Sequence, residues 1–489
     1  MMVLENGCIK LEDFGDTNTN TQATSNPITS ALLTGVLSNV GSYASSNGIT
    51  SDFVMTIGGA LYCQYFSETQ YPGVSFYASN MVSPMGFYSG DLYDLQNIII
   101  NNTDDNTKAE AAINGANANQ IAIARILKAY IFWTITDRWG DIPYKDALKE
   151  DPNVTYDTQE AIYKDLIKEL TEAVAQFTTG APILGDIVYN GDISKWKKFA
   201  NSMKLLMSLR LSKQYPAASG YAATQFNAAF VDPAGLISTN ADNFVINYPG
   251  GNFRNQYYIM YDGRHDYGES ATMTALLGSL NNDGRQNVFG ATATGAASTL
   301  GVPYGRNREY IVPWCSANPT YCYVFNPAYR QQTSPAYIMT ASHVLLARAE
   351  AADRGWTSET TNTDSLYQNG IIASFTQWGL AATDDTYLSS TNVALTSVPG
   401  TGLNLQQIAT QQYIAYYPDG TQGWSNWRRT NYPALTPALD GVNIPLVIPR
   451  RYMYGTSDYA LNNAGVTEAV ARLTGGDKMD SRVWWDKEE

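Results

Sequence analysis

The stretch Ile121–Leu148, IAIARILKAYIFWTITDRWGDIPYKDAL, decides how the rest of the chain is arranged. From Ile121 to Trp133 almost every side chain is apolar, broken only by Arg125 and Lys128. A helix that is apolar on nearly all sides must be surrounded by protein. The run is too short and too interrupted to cross a bilayer, which takes about 20 mostly apolar residues. Gly140 can take the left-handed conformation that closes a helix, and Pro143 keeps it from continuing. The pattern therefore predicts a central helix over Ile121–Arg138 and a rigid exit turn over Trp139–Tyr144.

Helical spacing recurs on both sides of this element. Apolar residues at Leu32, Leu33, Val36, Leu37 and Val40 predict a helix over Ser30–Tyr43. Further helices are expected over Met55–Phe66, Asp91–Ile100 and Ala109–Arg138. In Thr158–Phe177, Ile162, Leu166, Ile167, Leu170 and Val174 share one face. In Asp192–Leu211, Asp192 is the expected N-cap, and Trp196, Phe199, Met203, Leu206 and Leu209 form the stripe. Pro216–Tyr337 is low in charge, rich in Gly, Asn, Tyr and Thr, and reads as irregular loops with short strands. Helices return at Ala341–Arg354, Ser358–Trp378 and Leu403–Tyr417. The last ends at Pro418-Asp419-Gly420, and a short helix is expected near Val466–Leu473. The helices come in pairs without a strict residue repeat, as degenerate tetratricopeptide-like hairpins would.

The 489 residues carry 31 Lys+Arg against 45 Asp+Glu, a formal net charge of −14. That balance argues against nucleic acid, whose phosphates need a basic surface, and fits a soluble protein with a neutral ligand. Charged residues make up only 16% while Tyr alone numbers 34. A surface that is polar but weakly charged is more typical of extracellular proteins than of cytosolic enzymes.

Of the four cysteines, Cys315 and Cys322 bracket the loop WCSANPTYC, so either a local disulfide or two free thiols fits. Cys63 sits among apolar residues and reads as a buried thiol. Cys8 heads a polar tail and suits a lipid attachment point followed by a tether, not a core. MMVLENG is too short and too polar for a signal segment. Two histidines, His265 and His343, are too few for a His-rich metal site, and no metal or cofactor is expected. His343 reads as a packed or surface residue. There is no GxSxG, HExxH, Walker loop or dinucleotide fingerprint. NNDGR (Asn281–Arg285) has some calcium-loop character but lacks the later ligands. Among 45 acidic residues, nothing singles out the carboxylate pair of a glycosidase.

What stands out is rings in loops. Sugars lay their C–H faces on aromatic rings while their hydroxyls bond to Asn, Asp, Gln and Arg, and rings with a polar edge suit a surface dry on one side and wet on the other. Two regions qualify: Tyr71–Tyr88, and Tyr257–Tyr261 with Tyr304–Tyr329. The candidate contacts are Tyr71, Phe76, Tyr77, Tyr257, Tyr258, Trp314 and Tyr321. The same ring types pack loops and anchor protein interfaces, so packing is the competing role for each.

Seven stretches, in order, resemble the SusD/RagB family of outer-membrane lipoproteins, in its SusD-like second subgroup. They are DFGDTNTN (Asp13–Asn20), KAYIFWTITDRWGDIPYKDAL (Lys128–Leu148), YNGDISKWKKFANSMKLLMSLRLS (Tyr189–Ser212), LLARAEAADRGW (Leu345–Trp356), GWSNWRRTNYPAL (Gly423–Leu435), IPRRYMYGTSDYALN (Ile448–Asn462) and GGDKMDSRVWWDK (Gly475–Lys487). The resemblance implies a mainly α fold: four tetratricopeptide-like pairs as scaffold, long irregular loops on one face and a few short strands. Residues 1–25 would be a lipid-anchor tether and 26–489 a single domain. Within it, 26–215 and 338–420 would be scaffold, 216–337 a loop-rich ligand or partner region, and 421–489 C-terminal loops. Cys8 would carry the lipid, although Glu5 stands where the lipoprotein motif wants an aliphatic residue; Glu12 and Asp13 resemble its surface-export signal.

The resemblance also implies a role. Members sit at the cell surface as a lid on a SusC-like TonB-dependent transporter barrel and capture oligosaccharides, or in some cases peptides, for import. They are not enzymes; a helical glycoside hydrolase is the remaining alternative. Trp139 and Tyr144 would pack the turn and Asp137, Arg138 and Asp141 would bond loop backbone. Arg428, Arg429, Arg450 and Arg451 would pair with the acidic excess. Ligand residues come from variable loops, so only the two ring-bearing regions correspond by position.

Overall fold

The computed structural model describes residues 28–43, 53–149, 154–381, 383 and 385–488. Cys8 and the expected tether lie outside the described residues. The central helix runs from Asn117 to Trp139, four residues earlier than its apolar run suggests. It is buried on all sides from Ala122 onward apart from two positions. Those two are its charged interruptions: Arg125 pairs with Glu169 and Glu172 of the facing helix, and Lys128 bonds Gln96. Gly140 closes it at φ +89°, its N–H reaching the Thr136 carbonyl at 2.8 Å.

Around it, four consecutive helix pairs pack as hairpins. They are Asn117–Trp139 with Gln159–Gln176, Ile193–Arg210 with Tyr221–Phe230, Ala341–Asp353 with Thr363–Gln377, and Leu405–Tyr416 with Gly420–Thr430. Each pair touches the next, and Gly420–Thr430 returns to the central helix and to Phe53–Tyr62. The N-caps follow the sequence signals. Thr158 accepts from Ala161 N, Asp192 from Ser194 N and Lys195 N, and Thr340 from His343 N. Among the described residues the strands form only five two-stranded ladders, so the fold is mainly α with short strands.

Two segments are more helical than their sequence suggests. Within 216–337 lie helices Tyr221–Phe230, Gln256–Met260, Ala271–Ser279, Gln286–Phe289 and Arg308–Ala317. They are short, and the longest of them place few apolar residues at regular spacing. Past residue 420 the scaffold continues through Gly420–Thr430, every residue of which is buried. Its sequence, GTQGWSNWRRT, is mostly polar, so no apolar stripe announces it. Asp419 ends one helix and caps the next, accepting from Gln422 N at 3.0 Å.

Polar burial of this kind requires partners. Arg429 makes a two-pronged pair with Glu350 at 2.5 and 2.7 Å, and Gln412 donates to the same carboxylate at 2.9 Å. Arg450 pairs with Asp486 and Arg451 with Asp477. Arg428 departs from that expectation: its guanidinium lies 3.8 Å from the Trp424 ring centre and 4.7 Å from that of Trp485, and it donates to carbonyls. In the exit turn Trp139 packs edge-on against Tyr452, Tyr144 against Phe132, and Asp141 accepts from Gln159 N. Asp137 bonds side chains instead of loop backbone, taking Trp485 Nε1 and the Tyr163 hydroxyl, while Arg138 bonds its own helix at Thr134.

Burial alone would raise the pKa of Glu350, but the guanidiniums of Arg429 and Arg354 outweigh it and hold the carboxyl at about 2. Glu350→Ala strands a buried guanidinium and should cost about 3–5 kcal/mol, read as a lowered denaturation midpoint with the helical circular dichroism retained. Because the folded value lies below the ordinary one, this contribution is full above about pH 4.5 and is lost as pH falls toward 2. Acid titration of stability should therefore be shallower in the variant than in the parent.

Candidate functional site

The two ring-bearing regions meet because a short ladder joins them. Phe66–Glu68 pairs antiparallel with Tyr267–Glu269, Phe66 opposite Glu269 and Glu68 opposite Tyr267. Thr69 extends the ladder, bonding the carbonyls of Asp266 and His265. A third segment stacks on its other side: Glu269 N donates to the Cys322 carbonyl and Val302 N to the Glu269 carbonyl. Gly268 permits that approach, since a Cβ there would sit 2.7 Å from the Cys322 carbonyl oxygen and 2.4 Å from a Val302 methyl. The loops after residue 68, before residue 267 and around 302–323 thus leave one small platform together.

Their side chains form a strip of rings and guanidiniums. Arg308 lies 4.8 Å and Arg264 5.6 Å from the centre of the Tyr71 ring. Arg306 sits 3.7 Å over Tyr310. Arg330 sits 4.0 Å over Tyr261 and 5.9 Å from Tyr323. Tyr321 and Tyr323 stack nearly parallel at 4.8 Å, Trp314 leans on Tyr321 at 6.3 Å, and the His265 ring lies 5.5 Å from Tyr323. Tyr71, at 63% exposure, and Tyr310 stand out to solvent.

One buried carboxylate fixes the Tyr71 loop. Glu68 Oε2 accepts from Gly73 N at 2.9 Å, Ser75 N at 2.8 Å and Ser75 Oγ at 2.7 Å. Burial raises its pKa, and those donors offset part of the rise. Behind the platform, burial pushes the Glu269 carboxyl up to about 8, with Gln286 and Cys322 pulling the other way. Glu269 is therefore largely protonated at neutral pH and backs the face without adding a full charge.

The candidate ring residues divide. Tyr71, Trp314 and Tyr258 reach the surface, Tyr258 under Arg254 at 5.4 Å, and Phe76 is half-buried beside them. Tyr77 is fully buried, with a positive φ and its hydroxyl taking the Ala438 N–H. Tyr257 is buried between Phe66 and Phe325. Both belong to the packing, because the platform needs rings beneath it as well as on it. Tyr321 is mostly covered by its neighbours. Cys315 and Cys322 are free thiols, correcting the bridged alternative: Cys315 faces the Ile311 cluster while Cys322 turns toward Gln286 and the Ser298 carbonyl. Composition had no way to flag Arg264, Arg308 and Arg330; the local signal is arginine beside ring residues, as in GRHDY and NREY.

A cleft of about 830 Å³ elsewhere on the molecule shares no lining residue with this strip. Of the carboxylates lining it, Asp141, Asp486 and Glu160 are each held by a cation, from Arg472, Arg450 and Lys164. His343 packs against Tyr416 with Nε2 3.0 Å from the Ala415 carbonyl. Asp283 of NNDGR is bound to Arg285. Among the described residues no group of three or more His, Cys, Asp or Glu could hold a metal ion, and no helix is long and apolar enough to cross a membrane.

A family model described as SusD-like, "Starch-binding associating with outer membrane", matches residues 20–455. A structure titled as a chitin-binding protein is similar at 27% identity and a TM-score of 0.76, covering 94% of this chain and 100% of that one. A SusD homologue from Bacteroides uniformis is similar at 27% identity and 0.75, over 94% and 99%. A chitin-binding SusD homologue from Flavobacterium johnsoniae, at 24% identity and 0.76 over 94% and 99%, shares the fold. A search of curated proteins returned no match. The helix pairs, the motif order and the family match agree: the chain belongs to the SusD-like family associated with the outer membrane.

Proposed function

We propose that this protein is a cell-surface lipoprotein, anchored through Cys8, that captures oligosaccharides and passes them to a SusC-like TonB-dependent transporter. The observation that carries the reading is the convergence of Tyr71, Tyr310 and Trp314 on one open face, backed by the buried stack of Tyr321 and Tyr323. Exposed rings with guanidiniums laid against them offer a sugar chain apolar surface beside donors for its hydroxyls. The relatives titled as chitin-binding support the ligand class.

A rim beside the face supports the partnership. Residues 439–446 expose Leu439, Val442, Leu446 and, at 95%, Ile444. Contiguous exposed apolar groups of this sort mark surfaces that a protein partner covers. The rim is tied to the ring-bearing face through Val442 N on the Phe76 carbonyl and Asp440 on Arg306.

Calorimetric titration with an oligosaccharide panel, beside mass spectrometry of the natively purified protein, tests the capture reading. A bound sugar supports it, and a co-purified peptide with no sugar binding would replace it. Tyr71→Ala and Trp314→Ala should each weaken binding about tenfold, roughly 1–2 kcal/mol, with little change in melting temperature. Tyr77→Ala should instead lower the melting temperature. Glu68→Ala releases three donors and should loosen the loop bearing Tyr71, costing about 1.5–3 kcal/mol of stability and reducing affinity. Retained affinity in that variant would detach the loop from the site.

A further inference from the structure

The rings of the strip are not bare. Tyr71 has two guanidiniums against it, Tyr310 is covered by Arg306 and Tyr261 by Arg330. A ring whose face holds a cation has that face unavailable for stacking on a sugar, and what the ligand meets there is the guanidinium's outer edge. Three of the local arginines are already neutralised: Arg254 by Asp262, Arg264 by Asp266 and Arg306 by Asp440. Arg308 and Arg330 are not. Arg308 donates to the Gln70 carbonyl and Arg330 Nε to the Phe325 carbonyl at 3.1 Å. Neither has a carboxylate within ion-pair distance among the described residues, in a chain whose formal charge is −14.

Two further facts mark these cations as costly where they are. Arg308 is the first residue of the helix Arg308–Ala317, the end where the helix dipole disfavours a positive charge, with Glu309 next to it easing the conflict. Arg330 is half-buried, and burial lowers its pKa. A partly dried guanidinium with spare N–H groups gains most from a carboxylate or sulfate, which it can grip with two parallel bonds.

We propose that the oligosaccharide taken by this face carries anionic groups, uronate carboxylates or sulfate esters, received by Arg308 at one end of the strip and Arg330 at the other. This rests on the glycan-capture reading above and narrows its ligand class. Stacking then falls to the uncapped ring of Trp314 between them in function, and the charged groups set which chains are accepted.

The test is titration of the intact protein with four sugars of similar length: trigalacturonate, a sulfated chondroitin tetrasaccharide, maltotetraose and chitotetraose, each at low and high sodium chloride. At least one anionic sugar should bind about tenfold or more tighter than both neutral ones, and salt should weaken it, as it does exposed charge pairs. The two anionic sugars distinguish carboxylate from sulfate. The Arg308→Gln, Arg330→Gln double variant should lose about tenfold for the anionic sugar only, while lysine at both positions restores part of it. If the glutamine variant fails to fold, the sugar ranking and its salt dependence decide alone. Equal or tighter binding of maltotetraose or chitotetraose, or anionic binding indifferent to salt, overturns the proposal and leaves glycan capture standing. Binding of none of the four sugars overturns both.

Discussion

The structure closes on the Asp137 carboxylate. It sits at the end of the central helix, fully buried, taking Trp485 Nε1 at 2.8 Å and the Tyr163 hydroxyl on one oxygen and facing Arg210 Nε 3.7 Å from the other. Arg428 lies alongside, held between the rings of Trp424 and Trp485 and donating at 2.7 Å to the Asp137 carbonyl. Burial pushes Arg428 down to about 9, with Asp486 and Asp137 opposing the drop. Charges taken so far from water are expensive, and only a complete set of partners makes them tolerable. Here most of the set is assembled from positions 137, 163, 210, 424, 428 and 485, so the polar knot forms only when five separate stretches are in register.

That register is what gives the loops a fixed base. The pairs of helices would stack on apolar contacts alone, but apolar contact is indifferent to small sliding. Directional bonds to Asp137 and the Glu350–Arg429 pair pin the last helical pair against the first and third. The segment 431–449, which leaves that last pair, then carries Ala438 to Tyr77 and Asp440 to the loop at 305–307. A disturbance at the knot therefore reaches the ring-bearing face through bonded backbone, not through the ligand loops themselves.

The scaffold was legible where apolar residues recur at helical spacing. The central helix and Ile193–Arg210 came with their ends, because Gly140 and Asp192 act locally, and Gln159–Gln176 came from its apolar stripe. Gly420–Thr430 was not legible, since its buried arginines are satisfied by Glu350 and the Asp137 carbonyl, partners no local pattern reveals. The candidate site was legible only in part. Ring-rich loops were visible as candidate regions, yet Tyr71 and Tyr77, six residues apart, ended one exposed and one buried. What separates them is Glu68, whose three bonds turn the chain between them. The arginines were invisible for the same reason: whether a guanidinium meets an aspartate or lies uncompensated on a ring depends on a ladder joining residues about 200 apart.

An open face of this construction also constrains how tightly it can hold. Each stacked ring or edge-on guanidinium at a solvent-exposed site contributes about 1 kcal/mol, more only where water is excluded. Three or four such contacts, less the cost of ordering a flexible sugar chain, give affinities of about a millimolar or weaker. For a protein whose proposed task is to release what it gathers, that range is an advantage, because exchange with a partner needs a fast off-rate. Enclosing the ligand in a pocket would add desolvated contacts and slow that step. The absence of lining overlap between the strip and the large cleft follows the same logic: several of the cleft's carboxylates are held in ion pairs, and the face proposed to meet the ligand is left shallow.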